Sequence, residues 1–272
     1  MKKYIITFLP LFFSFIGTAI ALRYLIPVLK SKKVGQKILD IGPRWHKDKE
    51  GTPTMGGIAF IIFISLSSVL GIMYLFFTGQ TGEKEFLTLL ITVLYAVLNG
   101  FIGVTDDVQK LRRKKNEGLT ATEKYLLQLA ASLVFIFLLM RFGNVDTTVT
   151  MPFFRKKLDL GAFWYPLALL FLTGFTNAVN LTDGLDGLCG SVSAAVALFF
   201  SLYLLSKGEV GGTLISTSII GGMLGFLIYN LHPAKVFMGD TGSLFLGAII
   251  SGLSLCSGNA VILFIVGIER GE

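Results

Sequence analysis

Asn177-Ala-Val-Asn180-Leu-Thr-Asp183-Gly-Leu-Asp186-Gly-Leu188 interrupts two apolar runs: Phe163 to Val179 leads into it, and a second run begins at Leu188. Two carboxamides and two carboxylates therefore stand at the mouth of two membrane-length segments. Ionisable groups beside hydrocarbon are costly unless they are paired or bind something. The glycines, with Asp and Asn, predict a tight connection here rather than a helix interior. The stretch reads as one wall of an active site between two spanning helices.

Working outward, seven more apolar segments approach spanning length: Tyr4–Leu29, Ile58–Phe77, Phe86–Val104, Tyr125–Met140, Ser191–Leu205, Val210–Tyr229 and Leu244–Leu255. With Phe163–Val179 they make eight, and Ala260–Gly267 makes a partial ninth. The composition agrees: 53% of the 272 residues are hydrophobic, 15% are charged, and the mean hydropathy is +0.72. These values exclude an ordinary soluble domain and predict an all-α, polytopic transmembrane bundle, a single domain over 1–272. Met1-Lys2-Lys3 followed by an apolar core imitates a secretory signal, but the run continues to Leu29 and favours a retained first helix. Cys189 and Cys256 read as small packing residues, and His46 and His232 are too far apart for a histidine metal site.

Lys and Arg distribute unevenly across the loops. The loops at 30–50, 109–124, 180–190 and 231–242 hold fourteen, and the opposite side holds nine. The richer side is cytoplasmic by the positive-inside rule, although Lys2 and Lys3 oppose that orientation. The net charge of +7 then reflects topology and anionic lipid rather than nucleic acid. On the outer side, Val145–Met151 is rich in β-branched residues and, with Leu158-Asp-Leu160, predicts a short periplasmic hairpin.

The same alternation brings five acids to one face. Asp106-Asp107 closes the third segment, Asp183 and Asp186 follow the fifth, and Asp240 follows the seventh in Pro233-Ala-Lys-Val-Phe-Met-Gly-Asp240-Thr-Gly-Ser243. Acids at a helix C-terminus oppose its dipole, so capping alone does not explain the Asp106-Asp107 pair. Clustered carboxylates repel unless a cation or ligand relieves them, and oxygen ligands of this kind suit Mg²⁺ together with phosphate. Lys110, Arg112, Arg113, Lys114, Lys115 and Lys124 lie nearby in sequence, and Lys47 and Lys49 precede Gly51-Thr-Pro-Thr54-Met-Gly-Gly57. Glycine-rich backbone at a helix start can receive phosphate oxygens. The chemistry indicated is transfer of a phosphate-bearing group. The bland alternatives are topology and headgroup contact for the basic residues, local backbone contacts for Asn177, Asn180 and Asn230, and a membrane-interface aromatic for Phe237.

These motifs resemble the phospho-N-acetylmuramoyl-pentapeptide-transferase family, within the polyprenyl-phosphate sugar-1-phosphate transferases. The likeness is carried by Gly51–Gly57, Asp106-Asp107, Asn177–Leu188 and Pro233–Ser243, with Gly35-Gln36 and Gly42-Pro43 in support, and runs from about residue 20 to 267. It implies a ten-helix enzyme of the bacterial plasma membrane with its active site on the cytoplasmic face. It implies that UDP-N-acetylmuramoyl-pentapeptide and undecaprenyl phosphate react, with Mg²⁺, to give lipid I and UMP. It further implies that Asp240 binds Mg²⁺, that Asp106 deprotonates the lipid phosphate with Asp107 beside it, and that Lys110 and Lys124 balance phosphate charge. Asp183, Gly184 and Phe237 would hold uracil. Asn180, Asp186 and Asn230 would shape the diphosphate site, joined by Asn177, Lys49 and Thr54. Family members form dimers, which nothing in these residues shows. The family also carries a ninth and tenth helix joined by a loop with three consecutive His. This chain has no such run, so a C-terminally shortened member with little or no activity is the expectation. Two other readings remain open: a transferase for N-acetylglucosamine 1-phosphate, and an ion-coupled transporter, which would put acids near the membrane midplane in repeated halves.

Overall fold

In lipid every backbone N–H and C=O must be satisfied within its own segment, so apolar runs of this length fold as helices. The computed structural model describes residues 2–31, 51–113, 118–151 and 156–258, with no account of the side chains of 2–6, 150–151 and 156–157. Eight helices are present among them: α1 Lys2–Ser31, α2 Gly57–Phe77, α3 Glu83–Arg113, α4 Ala121–Phe142, α5 Trp164–Thr182, α6 Leu188–Lys207, α7 Val210–Asn230 and α8 Gly239–Cys256. All eight are long and apolar enough to cross a membrane. The protein is an all-α polytopic membrane bundle. The partial ninth segment at 260–267 lies outside the described residues.

The bundle is built around α7 and α8. In each, 89% of the most apolar window is buried, against 22% for α1 and 28% for α4. Both are rich in Gly, Ser and Thr, which let helix backbones approach closely where lipid supplies no hydrophobic drive for association. α3 and α5 pack along α8, and α1, α2 and α6 pack along α7. α4 packs on α3 and α5 and turns much of its surface outward.

Three boundaries differ from the sequence expectation in one direction. Asp106-Asp107 does not close α3, which continues about two turns further to Arg113. Asn177 and Asn180 lie inside α5, so the tight connection shrinks to residues 183–187. Asp240 is in the first turn of α8 rather than in a preceding loop. The reason is that hydropathy marks where lipid ends, whereas a helix ends where its hydrogen bonding ends. In α3 the ion pair Asp106–Lys110 lies at helical spacing, and Lys110, Arg112 and Arg113 in the last turn complement the dipole.

The hairpin is present: β1 Thr148–Met151 pairs antiparallel with β2 Lys156–Asp159, with Thr148 opposite Asp159. The Asp159 carboxylate accepts hydrogen bonds from the Thr147 hydroxyl and the Gly161 N–H. The hydroxyl, then the N–H, hold that carboxyl below its usual range. α4, with 22 residues, reaches about 33 Å and separates this hairpin from the opposite end of the bundle, where the acids gather.

Candidate active site

The acids converge because α3 and α8 touch at backbone distance. At Gly103 an added Cβ would collide with the Asp240 carbonyl, so glycine is what allows the approach. One turn further along α3, Asp106 and Asp107 reach the first turn of α8. Asp106, Asp107 and Asp240 each offer a carboxylate oxygen, all within 4.8 Å of one another, and the first two are almost fully buried.

Each carboxylate is held differently. Asp107 Oδ2 accepts from the Thr241 N–H (2.9 Å) and hydroxyl (2.7 Å), while Oδ1 accepts from the Asp240 N–H at 3.3 Å. It thus sits on the positive end of α8 and fastens the two helices together. Asp106 Oδ1 accepts from the Leu119 N–H at 2.8 Å, and its Oδ2 lies 2.6 Å from Lys110 Nζ. Asp240 Oδ2 takes both Lys110 Nζ (2.7 Å) and Lys124 Nζ (2.9 Å), and Oδ1 takes the Asn180 amide at 3.1 Å. Gly239 has φ +72°, and a Cβ there would meet Asp107 Oδ2 at 2.5 Å and Thr54 Oγ1 at 2.7 Å. The glycine lets the chain turn into α8 between those two side chains.

A cleft of about 410 Å³ opens above the cluster, lined by Asp106, Lys110, Arg113, Thr120, Lys124 and Asp240 among others. Three carboxylates against two ammonium groups leave the cluster net negative. The oxygens of Asp107 are committed to α8, so the donor oxygens facing the cleft belong to Asp106 and Asp240. This hard-oxygen set fits a divalent cation, and the flanking Lys and Arg fit phosphate.

A second group ties two loops together. The Asn230 side chain accepts from the Gly187 N–H (3.0 Å) and donates to Val236 O (2.9 Å). Asp186 Oδ2 accepts from the Ala234 N–H and lies beside His232 Nδ1, each at 3.1 Å. Phe237 donates its N–H to Pro53 O and accepts from the Gly56 N–H, and the Gly57 N–H meets Met238 O. The N–H groups of Gly56 and Gly57 are therefore engaged with the 237–238 backbone, which corrects the expectation that they receive phosphate.

Comparison with known proteins agrees with this geometry. Residues 89–258 match glycosyl transferase family 4, and residues 49–61 match phospho-N-acetylmuramoyl-pentapeptide-transferase signature 1. The chain is 40% identical over 255 residues to the phospho-N-acetylmuramoyl-pentapeptide-transferase of Listeria innocua, covering 94% of this chain and 76% of that one. The enzyme of that name from Caldanaerobacter subterraneus is 40% identical over 94% of this chain and 77% of its own. The one from Carboxydothermus hydrogenoformans is 41% identical over 90% and 74%. This chain belongs to the phospho-N-acetylmuramoyl-pentapeptide-transferase family.

Of the residues the family resemblance picked out, Asp106, Asp107, Lys110, Lys124, Asn180 and Asp240 meet in one cluster, with Thr54 behind Asp107. Asn177 lies one turn deeper, paired with Gln128. Asp183 and Gly184 are on the 183–187 turn, outside the lining of the cleft, as are Asp186, Asn230 and Phe237. Lys49 falls outside the described residues. Arg113, for which topology was the bland alternative, lines the cleft and donates to Gly118 O at 3.1 Å. Thr241 and Gln128 went unnoticed. Thr241 follows Asp240 directly, which was its one signal in a transferase motif of this family.

Proposed function

We propose that the chain catalyses Mg²⁺-dependent transfer of phospho-N-acetylmuramoyl-pentapeptide from UDP to undecaprenyl phosphate, giving lipid I and UMP at the cytoplasmic face of a bacterial plasma membrane. The observation that carries this reading is the Asp240 carboxylate, gripped by Lys110, Lys124 and Asn180 at the floor of a cleft lined by both acids and bases.

Asp240 would hold the metal, which when bound would neutralise diphosphate oxygens as a Lewis acid. Lys110 and Lys124 stay on Asp240 and offer their remaining N–H donors to phosphate charge. Arg113 adds a further donor at the cleft wall. A phosphate monoester is partly protonated near neutrality, and Asp106 accepts that proton from the lipid phosphate. A lipid phosphate oxygen attacks the sugar-linked phosphorus, the new P–O bond forms, and the P–O bond to UMP breaks. Asp107 stays on α8 and keeps Asp240 in place. The work is positioning and charge neutralisation, as phosphoryl transfer requires. Asp183, Gly184 and Phe237 sit on the two segments that Asp186 and Asn230 lace together, a frame suited to uracil. Lys49 and Thr54 complete the substrate side in this reading. The acids lie toward one end of the bundle rather than at mid-helix, which favours transfer over ion-coupled transport.

The test is UMP release by the purified chain in detergent with both substrates and Mg²⁺. Asp240→Asn and chelation with EDTA should each lower the rate at least about a hundredfold. Undiminished release from Asp240→Asn would remove Asp240 from the chemistry. Release with UDP-N-acetylglucosamine as sole donor would instead favour the N-acetylglucosamine 1-phosphate transferase.

A further inference from the structure

Several buried or half-buried polar side chains left unused by the transfer chemistry gather below Asp240, where α3, α4 and α5 meet. Asn177 Nδ2 on α5 donates to Gln128 Oε1 on α4 at 2.6 Å and to Thr173 O at 2.8 Å. Gln128 Nε2 returns a longer bond, 3.4 Å, to Asn177 Oδ1. One turn deeper the Tyr95 hydroxyl on α3 meets Ser132 Oγ on α4 at 3.0 Å, and the Tyr95 ring stacks on Phe135 with centroids 4.3 Å apart. Gln128 is 1% exposed.

The spacing gives this clasp a consequence. Lys124 lies one turn from Gln128 on the same face of α4, and Asn180 lies one turn from Asn177 on the same face of α5. Lys124 and Asn180 both end on Asp240, one on each carboxylate oxygen. α4 is among the less buried helices of the bundle, so its hold on its neighbours is thin. A slide or roll of α4 against α5 would move Lys124 relative to Asn180 and pull at Asp240 from both sides. The reciprocal amide bond opposes that motion at the nearest available turn.

We infer that Gln128 is a positioning residue for the transfer: through Asn177 it keeps Lys124 and Asn180 in register on Asp240. The inference rests on the transferase reading for its effect on rate, while its effect on Lys124 is independent of that reading. Gln128→Met keeps the volume and apolar stem and removes the amide. In the full chain in detergent it should lower kcat about tenfold or more while changing KM for the UDP substrate by less than about twofold. Reductive methylation of Lys124, mapped by peptide mass spectrometry, should be at least about twofold faster, because an amine released from Asp240 Oδ2 is more open to the reagent. Ser251→Ala, whose hydroxyl bonds to Ala248 O within α8, should leave both readouts unchanged.

A Gln128→Met protein with unaltered kcat, or with lowered kcat but unaltered Lys124 methylation, would overturn the inference and make the clasp a structural bond only. If Gln128→Met does not fold, Gln128→Leu with Asn177→Leu removes both amides together and leaves neither unpaired. Fast methylation of Lys124 in that pair supports the inference, and methylation at the unaltered rate defeats it. If the unaltered chain releases no UMP, the proposed activity of this chain fails, and Lys124 methylation still decides whether Gln128 positions it.

Discussion

Asp107 joins two helices at the site without facing the cleft. Its carboxylate is 1% exposed and spends its oxygens on the first turn of α8. The strongest adjustable contact is the Thr241 hydroxyl at 2.7 Å. Hydrogen bonds to a charged group contribute about 1.5–3 kcal/mol, so Thr241→Val should lower the thermal midpoint and the transfer rate together. Thr241→Ser, which restores the donor, should recover most of both. Equal activity in the Val and Ser proteins would show that the backbone N–H groups alone hold Asp107. At this scale the acids were legible, because Asp in an apolar sequence is conspicuous. Asn180 and Lys124 were legible as candidates, and the family motif added their roles. Gln128 was silent, since one Gln inside an apolar run gains meaning only when the helix facing it is known.

The elements add register. α4 begins with a reciprocal cap: Thr120 Oγ1 accepts from the Glu123 N–H at 3.2 Å, and Glu123 Oε2 accepts from the Thr120 N–H at 2.8 Å. The turn so fixed carries Lys124 on one side and follows Leu119, whose N–H holds Asp106, on the other. Removing such a cap costs about 1 kcal/mol. Thr120→Ala should therefore lower the midpoint by about 2–4 °C and slow UMP release, whereas Thr120→Ser should do neither. A slowed rate with an unchanged midpoint would mean that the hydroxyl touches substrate instead of serving the helix. Element identity was readable from hydropathy, and the hairpin from its alternating β-branched residues. Element ends were not, because α3, α5 and α8 continue as helices past the apolar boundary. Polar residues there read as loop until their partners across α3 and α8 are known. The same error hid the engaged N–H groups of Gly56 and Gly57, since which backbone pairs with residues 51–57 is a long-range fact.

For the whole molecule the open quantity is direction. The helices place the Asp240 cluster and the β1–β2 hairpin at opposite ends of the bundle, so one orientation fixes both. By sequence, the excess of Lys and Arg falls in the loops on the side assigned to the acids, and the positive-inside rule predicts that side to be cytoplasmic. The chemistry points the same way, because a charged nucleotide donor does not cross lipid unaided. The native thiols leave a quiet background, with Cys189 buried and Cys256 partly so and bonded to Thr92. Leu158, 46% exposed on the hairpin, and Thr122, exposed in the first turn of α4, are therefore suitable single reporters. In intact bacterial cells a membrane-impermeant maleimide should label Leu158→Cys and not Thr122→Cys, and lysis should expose the second. Labelling of Thr122→Cys in intact cells, with Leu158→Cys protected, would invert the protein. The cluster would then face away from any cytoplasmic nucleotide, and the proposed reaction would lose its donor whatever the site geometry allows.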